Sequence, residues 1–131
     1  MKHRVRVDLA GGRTILLDLD DEICPITVRS FIEHLPLETN MNVWGDELYT
    51  DETTVSVGPE NSKPVVSLMD VAYWPDGRAI CLFFGPTPIG SVGEIRPYSP
   101  VNVMGKIIPT EKVLLKDIKG GTAAVFRLQQ E

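Results

Sequence analysis

The chain predicts a mostly β fold: a closed antiparallel β-barrel of about eight strands, with one main capping helix and a short helical turn. Three observations predict it. Short runs of alternating apolar and polar residues recur along the chain, broken by turns drawn from ten prolines and eleven glycines. Only one block, Val28, Phe31, Ile32 and Leu35, shows the three- and four-residue spacing of a long amphipathic helix. The run Ala79 to Phe84 has no polar residue on either face, which suits a strand covered on both sides. At 131 residues the chain suits a single domain, 1–131, with enough buried surface to hold a core without staples. An antiparallel sheet of this size with apolar runs favours closure, which removes unpaired edges.

Arg4 to Leu9 alternates as RVRVDL, and Gly11-Gly12 turns it into TILLDL, a β-hairpin with Arg4, Arg6 and Asp8 toward water. The acidic stretch that follows leads to Cys24 and Pro25. Proline's fixed φ and missing donor suit the first helical position, so the helix begins near Cys24 and stops before Pro36. Met41 to Thr50 and Thr53 to Val57 read as two strands around the acidic turn Asp51-Glu52, with a bulge at Gly45. Residues 58 to 64 read as a polar loop, and VAYW then meets AICLFF through the turn Pro75-Asp76-Gly77. Residues 85 to 100 carry four prolines and three glycines with little periodicity, and read as one long ordered loop. Val101 to Ile108 returns to strand, with Gly105 permitting close approach of a neighbour. Val113 to Ile118 forms the short helical turn, and AAVFRLQ the last strand.

Composition narrows the function. The formal net charge of −5 is spread along the chain, which works against a nucleic-acid partner. No segment has the apolar length of a membrane helix, and MKHRVRV leads into charged alternating residues instead of an apolar signal core. Membrane partners are therefore not expected, and the cytoplasm is the expected location. Cys24 and Cys81 stand far apart with no second pair and read as free buried thiols. Cys24 beside the helix start is also open to a lowered pKa. His3 and His34 have no recognisable nucleophile partner. Asp18, Asp20, Asp21 and Glu22 lack calcium-loop spacing, so no metal and no cofactor is expected.

Several motifs resemble those of the cyclophilins, the β-barrel peptidyl-prolyl isomerases, and they occur in the same order. DEICPITVRSFIEHL resembles the block at the first cyclophilin helix, CLFFG the strand that floors the proline pocket, and MGKII the strand before the second helix. The set WGDELY, DVAYWPDG, ICLFFGPTP, GEIRP and SPVNVMGKI is closer still to the small prokaryotic cyclophilin-like proteins, and covers nearly the whole chain. The chain departs from the isomerases where they carry an arginine after the first helix. That region here reads MNVWGDELYTDETT.

The resemblance implies a pocket binding a small molecule or a proline-containing peptide, with no assigned reaction. The alternative is a prolyl isomerase with a non-standard site lacking the arginine. Phe84 matches the phenylalanine lining the pocket, and Tyr73 and Trp74 frame an opposite aromatic wall. Glu47 and Tyr49 share a face of the strand that replaces the missing arginine, which inverts the charge preference of the site. Arg96, in the long loop, is the candidate substitute cation. Each also has a plainer reading: core packing for Phe84, solvent exposure for Glu47, and a surface pair with Glu94 for Arg96. A homodimer through an exposed strand or the long loop is compatible with the same features.

Overall fold

A computed structural model describes residues 1–129. Eight strands are joined in chain order by two helices: β1 (Lys2–Leu9), β2 (Arg13–Asp20), α1 (Pro25–Glu33), β3 (Leu37–Trp44), β4 (Glu47–Thr50), β5 (Asp70–Trp74), β6 (Ala79–Phe83), β7 (Asn102–Ile107), α2 (Lys112–Lys116) and β8 (Thr122–Leu128). The strands close into one antiparallel barrel in the order β1-β2-β7-β5-β6-β4-β3-β8. Closure gives each strand of this sheet a hydrogen-bonded neighbour on both sides. No helix among the described residues is long and apolar enough to cross a membrane.

The local signals work as expected in the first hairpin, where Gly11 and Gly12 adopt φ of 95° and 88° and pair Leu9 with Arg13. Val5, Val7, Leu9, Ile15, Leu17 and Leu19 then all face the barrel interior. Helix α1 starts with Pro25 in its first turn and closes one end of that interior through Val28 and Phe31. The Phe31 ring meets Phe126 of β8 edge-on at 5.9 Å.

The start of α1 is completed from elsewhere in the chain. Cys24 makes no side-chain cap; Glu60 accepts from the backbone N–H groups of Ile26 and Thr27 at 3.1 and 2.8 Å and from the Thr27 hydroxyl at 2.7 Å. A carboxylate here also meets the positive end of the helix. Burial alone would raise the Glu60 pKa, but these hydrogen bonds outweigh it and hold it below the usual value. The Cys24 thiol moves opposite to the expectation for a helix start. Burial, with the Glu60 charge nearby, pushes it up to about 11, so it is an inert buried thiol donating to the Glu60 carbonyl.

Three expectations need correction. Gly45 is not a bulge: with φ of 61° it occupies the first central position of a two-residue Gly45-Asp46 hairpin turn, the place a II′ turn reserves for glycine. The expected Met41 to Thr50 strand is therefore two strands, β3 and β4. The expected strand Thr53 to Val57 is irregular, because β4 already pairs with β3 and β6 and the barrel offers no free neighbour. It is tied down by side chains instead: the Tyr73 hydroxyl donates to the Val55 carbonyl at 2.6 Å and accepts from the Val57 N–H, and Thr53 bonds the Arg78 carbonyl. In the β5–β6 turn the positive φ falls on Arg78, at 50°, while Gly77 is required for space. A Cβ there would overlap the six-membered ring of Trp74.

β6 is buried along its whole length, as its composition predicts. Ile80 and Leu82 join the interior core, while Cys81 and Phe83 point outward into a second cluster with Ala72, Val66 and Val101. That outer layer comes from the 60–69 segment and the 85–101 loop, pinned to each other by bridges of Lys63 with Val101 and Val66 with Ile95. The long loop is thus a flap over the outer barrel wall.

Candidate functional site

The outer wall formed by β4, β5 and β6 carries an indented hollow of about 140 Å³ roofed by residues 97 to 101 of the flap. The two-residue turn at Gly45-Asp46 builds one side of it. Because Trp44 pairs directly with Glu47 across the hairpin, the two side chains share the outward face, and Tyr49 follows two residues on. Cys81, paired with Tyr49, forms part of the floor, and Trp74 stands at the end of β5. The flap adds Pro97, Tyr98 and Val101.

Three aromatic rings adjoin at steep angles instead of stacking. Tyr98 lies between the two indoles, 6.1 Å from Trp44 at 68° and 5.9 Å from Trp74 at 74°. Trp74 is held in place from two directions. Its ring lies over Gly77, and its indole N–H donates to the Ser99 hydroxyl at 2.6 Å, which in turn donates to Asp76 at 2.7 Å. Tyr98 itself is 74 % exposed despite these contacts, an apolar ring left open to solvent on a flap.

Glu47 is the chemical centre of the hollow. It is only 5 % exposed, and its Oε1 has no hydrogen-bond partner among the described residues. Burial pushes its pKa up to about 7, with the Cys81 thiol as the one hydrogen-bonding neighbour that opposes the shift. Burial, reinforced by the Glu47 charge, also pushes the Cys81 thiol well above its ordinary value, so Cys81 is a proton donor and not a nucleophile. The adjacent Asp46 is different. Burial would raise it, but Lys116 and Lys112, at 2.7 and 3.0 Å, hold it below the usual carboxylate value and tie the hairpin turn to α2.

This asymmetry has a measurable consequence. An acid whose folded pKa lies above its unfolded value binds its proton more tightly when folded, so its contribution is fully present below about 4.5 and is lost as pH rises through about 7. A shift of that size corresponds to about 3 kcal/mol. The wild-type protein is expected to lose stability between pH 5 and 8, and Glu47→Gln to lack that loss and be the more stable protein at pH 8. Urea denaturation of both across this window checks it; parallel stability curves would show that the carboxyl is not held in a dry site.

Of the residues expected at a site, the structure brings together Glu47, Tyr49 and Trp74. Tyr73 alternates inward from Trp74 and belongs to the barrel core, its hydroxyl committed to Val55 and Val57. Phe84 also turns inward, 2 % exposed, continuing the parity of Ile80 and Leu82; its neighbour Phe83 takes the outward side. Arg96 lies outside the hollow and pairs with Glu94 at 3.2 Å, while the Thr87 hydroxyl donates to its carbonyl. Trp44 and Cys81 show in the sequence only as an aromatic and a buried thiol, since strand alternation by itself sets Trp44 on the face opposite Glu47. Tyr98 carries a signal of its own as the one aromatic of the 85–100 loop, set between Pro97 and Ser99.

Comparison with known proteins places these features in context. The family profile described as Cyclophilin-like matches residues 3–127. A solution structure of a hypothetical protein from Archaeoglobus fulgidus is 44 % identical, with a TM-score of 0.80, over 96 % of this chain and 94 % of that one. No curated protein matches at a significant level.

Proposed function

The chain belongs to the cyclophilin-like family, and on that premise we propose that it is a binding module whose outer-wall hollow takes a small molecule or a short proline-containing peptide. The observation that carries this reading is the convergence of three separated segments on one concave aromatic surface, with Tyr98 left exposed above it. Concave, mostly apolar sites with one or two placed polar groups are the usual form of ligand pockets. Binding is favoured over prolyl isomerisation because, among the described residues, no guanidinium or ammonium lines the hollow to stabilise a twisted amide, and Arg96 pairs with Glu94.

The test is an NMR shift titration of the labelled protein with a metabolite set and with X-Pro peptides, with the cis/trans exchange of each peptide followed in the same samples. Shifts confined to Trp44, Trp74, Tyr98 and their neighbours, without acceleration of X-Pro exchange, are expected. Uncatalysed exchange takes tens to hundreds of seconds, so catalysis would be obvious and would replace the binding reading with the isomerase one. Absence of shifts at these residues with every ligand would remove both.

A further inference from the structure

Resting on the reading of the hollow as a ligand site, we propose that its ligand presents an organic cation, an alkylammonium or guanidinium head group, seated against Trp44, Trp74 and Tyr98 and neutralised by the Glu47 carboxylate. The hollow holds an imbalance of charge. Glu47 is a carboxyl buried in an apolar wall with one oxygen unpartnered, and buried polar groups in folded proteins are normally satisfied. Among the described residues nothing cationic meets it. The other titratable groups lining the hollow are Tyr49 on the same strand, Cys81 from β6 and Tyr98 from the flap; β5 contributes only Trp74. Lys112 and Lys116, which reach the neighbouring Asp46, are committed to that carboxylate at the hairpin turn. A ligand cation is the group that would satisfy the free oxygen and offset the cost of burying its charge.

The surrounding rings suit the same occupant. Aromatic faces attract cations through their quadrupole, most strongly for tryptophan, and the attraction grows where water is excluded. Here two indoles and a phenol adjoin the carboxyl, at steep mutual angles that make walls of a cage instead of a single platform. The hollow's volume, about 140 Å³, has room for a compact head group. The hydrogen bonds of Trp74 through Ser99 to Asp76 fix one wall before any ligand arrives, which reduces the ordering cost of binding.

The head group could belong to a free metabolite or to a modified lysine or arginine of a peptide, and the experiment separates these. Choline is titrated against its uncharged carbon isostere, 3,3-dimethylbutan-1-ol, following indole fluorescence and NMR shifts at pH 6 and pH 8. A peptide carrying trimethyl-lysine is compared with the same peptide carrying norleucine. Choline is expected to bind at least about tenfold more tightly than its isostere at pH 8. Its affinity should rise roughly tenfold from pH 6 to pH 8, as a carboxyl with a pKa of about 7 ionises. Glu47→Gln should remove the pH dependence and cut the preference for choline by about tenfold. A trimethyl-lysine peptide that binds more tightly than choline assigns the source to a protein partner; equal binding assigns it to a free amine. Equal affinity for choline and its isostere, or choline binding at pH 8 that is undiminished in Glu47→Gln, overturns the cation reading. If the isostere or an X-Pro peptide still shifts the same resonances, the binding reading stands without it. If nothing shifts them, both fall.

Discussion

Gly105→Ala is expected to destabilise the barrel by about 3 kcal/mol or more and to lower the yield of folded protein. Gly105 lies where β7 is pinched between two neighbours, paired with Leu19 of β2 on one side and Val71 of β5 on the other. A Cβ there would overlap the Asp18 carbonyl and approach the Leu19 Cα to 2.8 Å. Both obstacles are backbone. Side-chain clashes in a core typically cost about 1–3 kcal/mol because rotamers can adjust, whereas these strands can make room only by breaking ladder bonds. The pairing shifts by one residue beside this point, between Val71 and Ala72, so the ladder has little slack to absorb a displacement. Gly120→Ala is the control, since nothing lies within 4 Å of a Cβ at that position. Urea denaturation of both variants decides the matter: a Gly105→Ala protein as stable as Gly120→Ala would mean that the strands separate freely.

Asn102→Ala is expected to cost about 3–4 kcal/mol, for a different reason. The Asn102 side chain is fully buried at the start of β7 and joins three segments. Its Oδ1 accepts from the Glu60 N–H at 2.9 Å, and its Nδ2 donates to the Thr27 hydroxyl and the Gly58 carbonyl, both at 3.0 Å. Truncation strands partners in a site that water does not readily reach, and each orphaned buried group costs about 1–3 kcal/mol. The loss should propagate, because the Glu60 backbone that Asn102 holds carries the carboxylate capping α1. Hydrogen exchange at Ile26 and Thr27 should accelerate in Asn102→Ala and in Glu60→Gln, and the double variant should lose less than the sum of the two. Additive losses would show that the two residues act independently.

Much of the architecture follows from local chemistry that a linear reading captures. Gly11-Gly12, the Pro75 to Gly77 turn, Pro25 at the helix start and the stripe of Val28 and Phe31 each specify their element within a few residues. The flap was legible as a loop and Gly105 as a close approach. The site was only partly legible. Glu47 and Tyr49 share a face because the strand period is two, which needs no partner to be known. Phe84 against Phe83 could not be decided that way. Ala79 to Phe84 is apolar at both parities, so alternation names two sets without saying which faces inward. Trp44 faces the same way as Glu47 because Gly45-Asp46 is a turn that pairs the two across a hairpin, where an uninterrupted strand would have set them on opposite faces.

The amino-acid order alone determined a β-rich chain with one capping helix, the family it resembles, and an acidic, aromatic strand in place of a basic one. Tertiary structure decided what those residues do together. Barrel closure assigned an inside and an outside to each strand, denied residues 53 to 57 a neighbour, and brought Trp74 and Tyr98 beside Glu47. The physical reason is range: turn and helix propensities act over a few neighbours, whereas the burial that leaves a carboxyl dry requires walls contributed by segments dozens of residues apart.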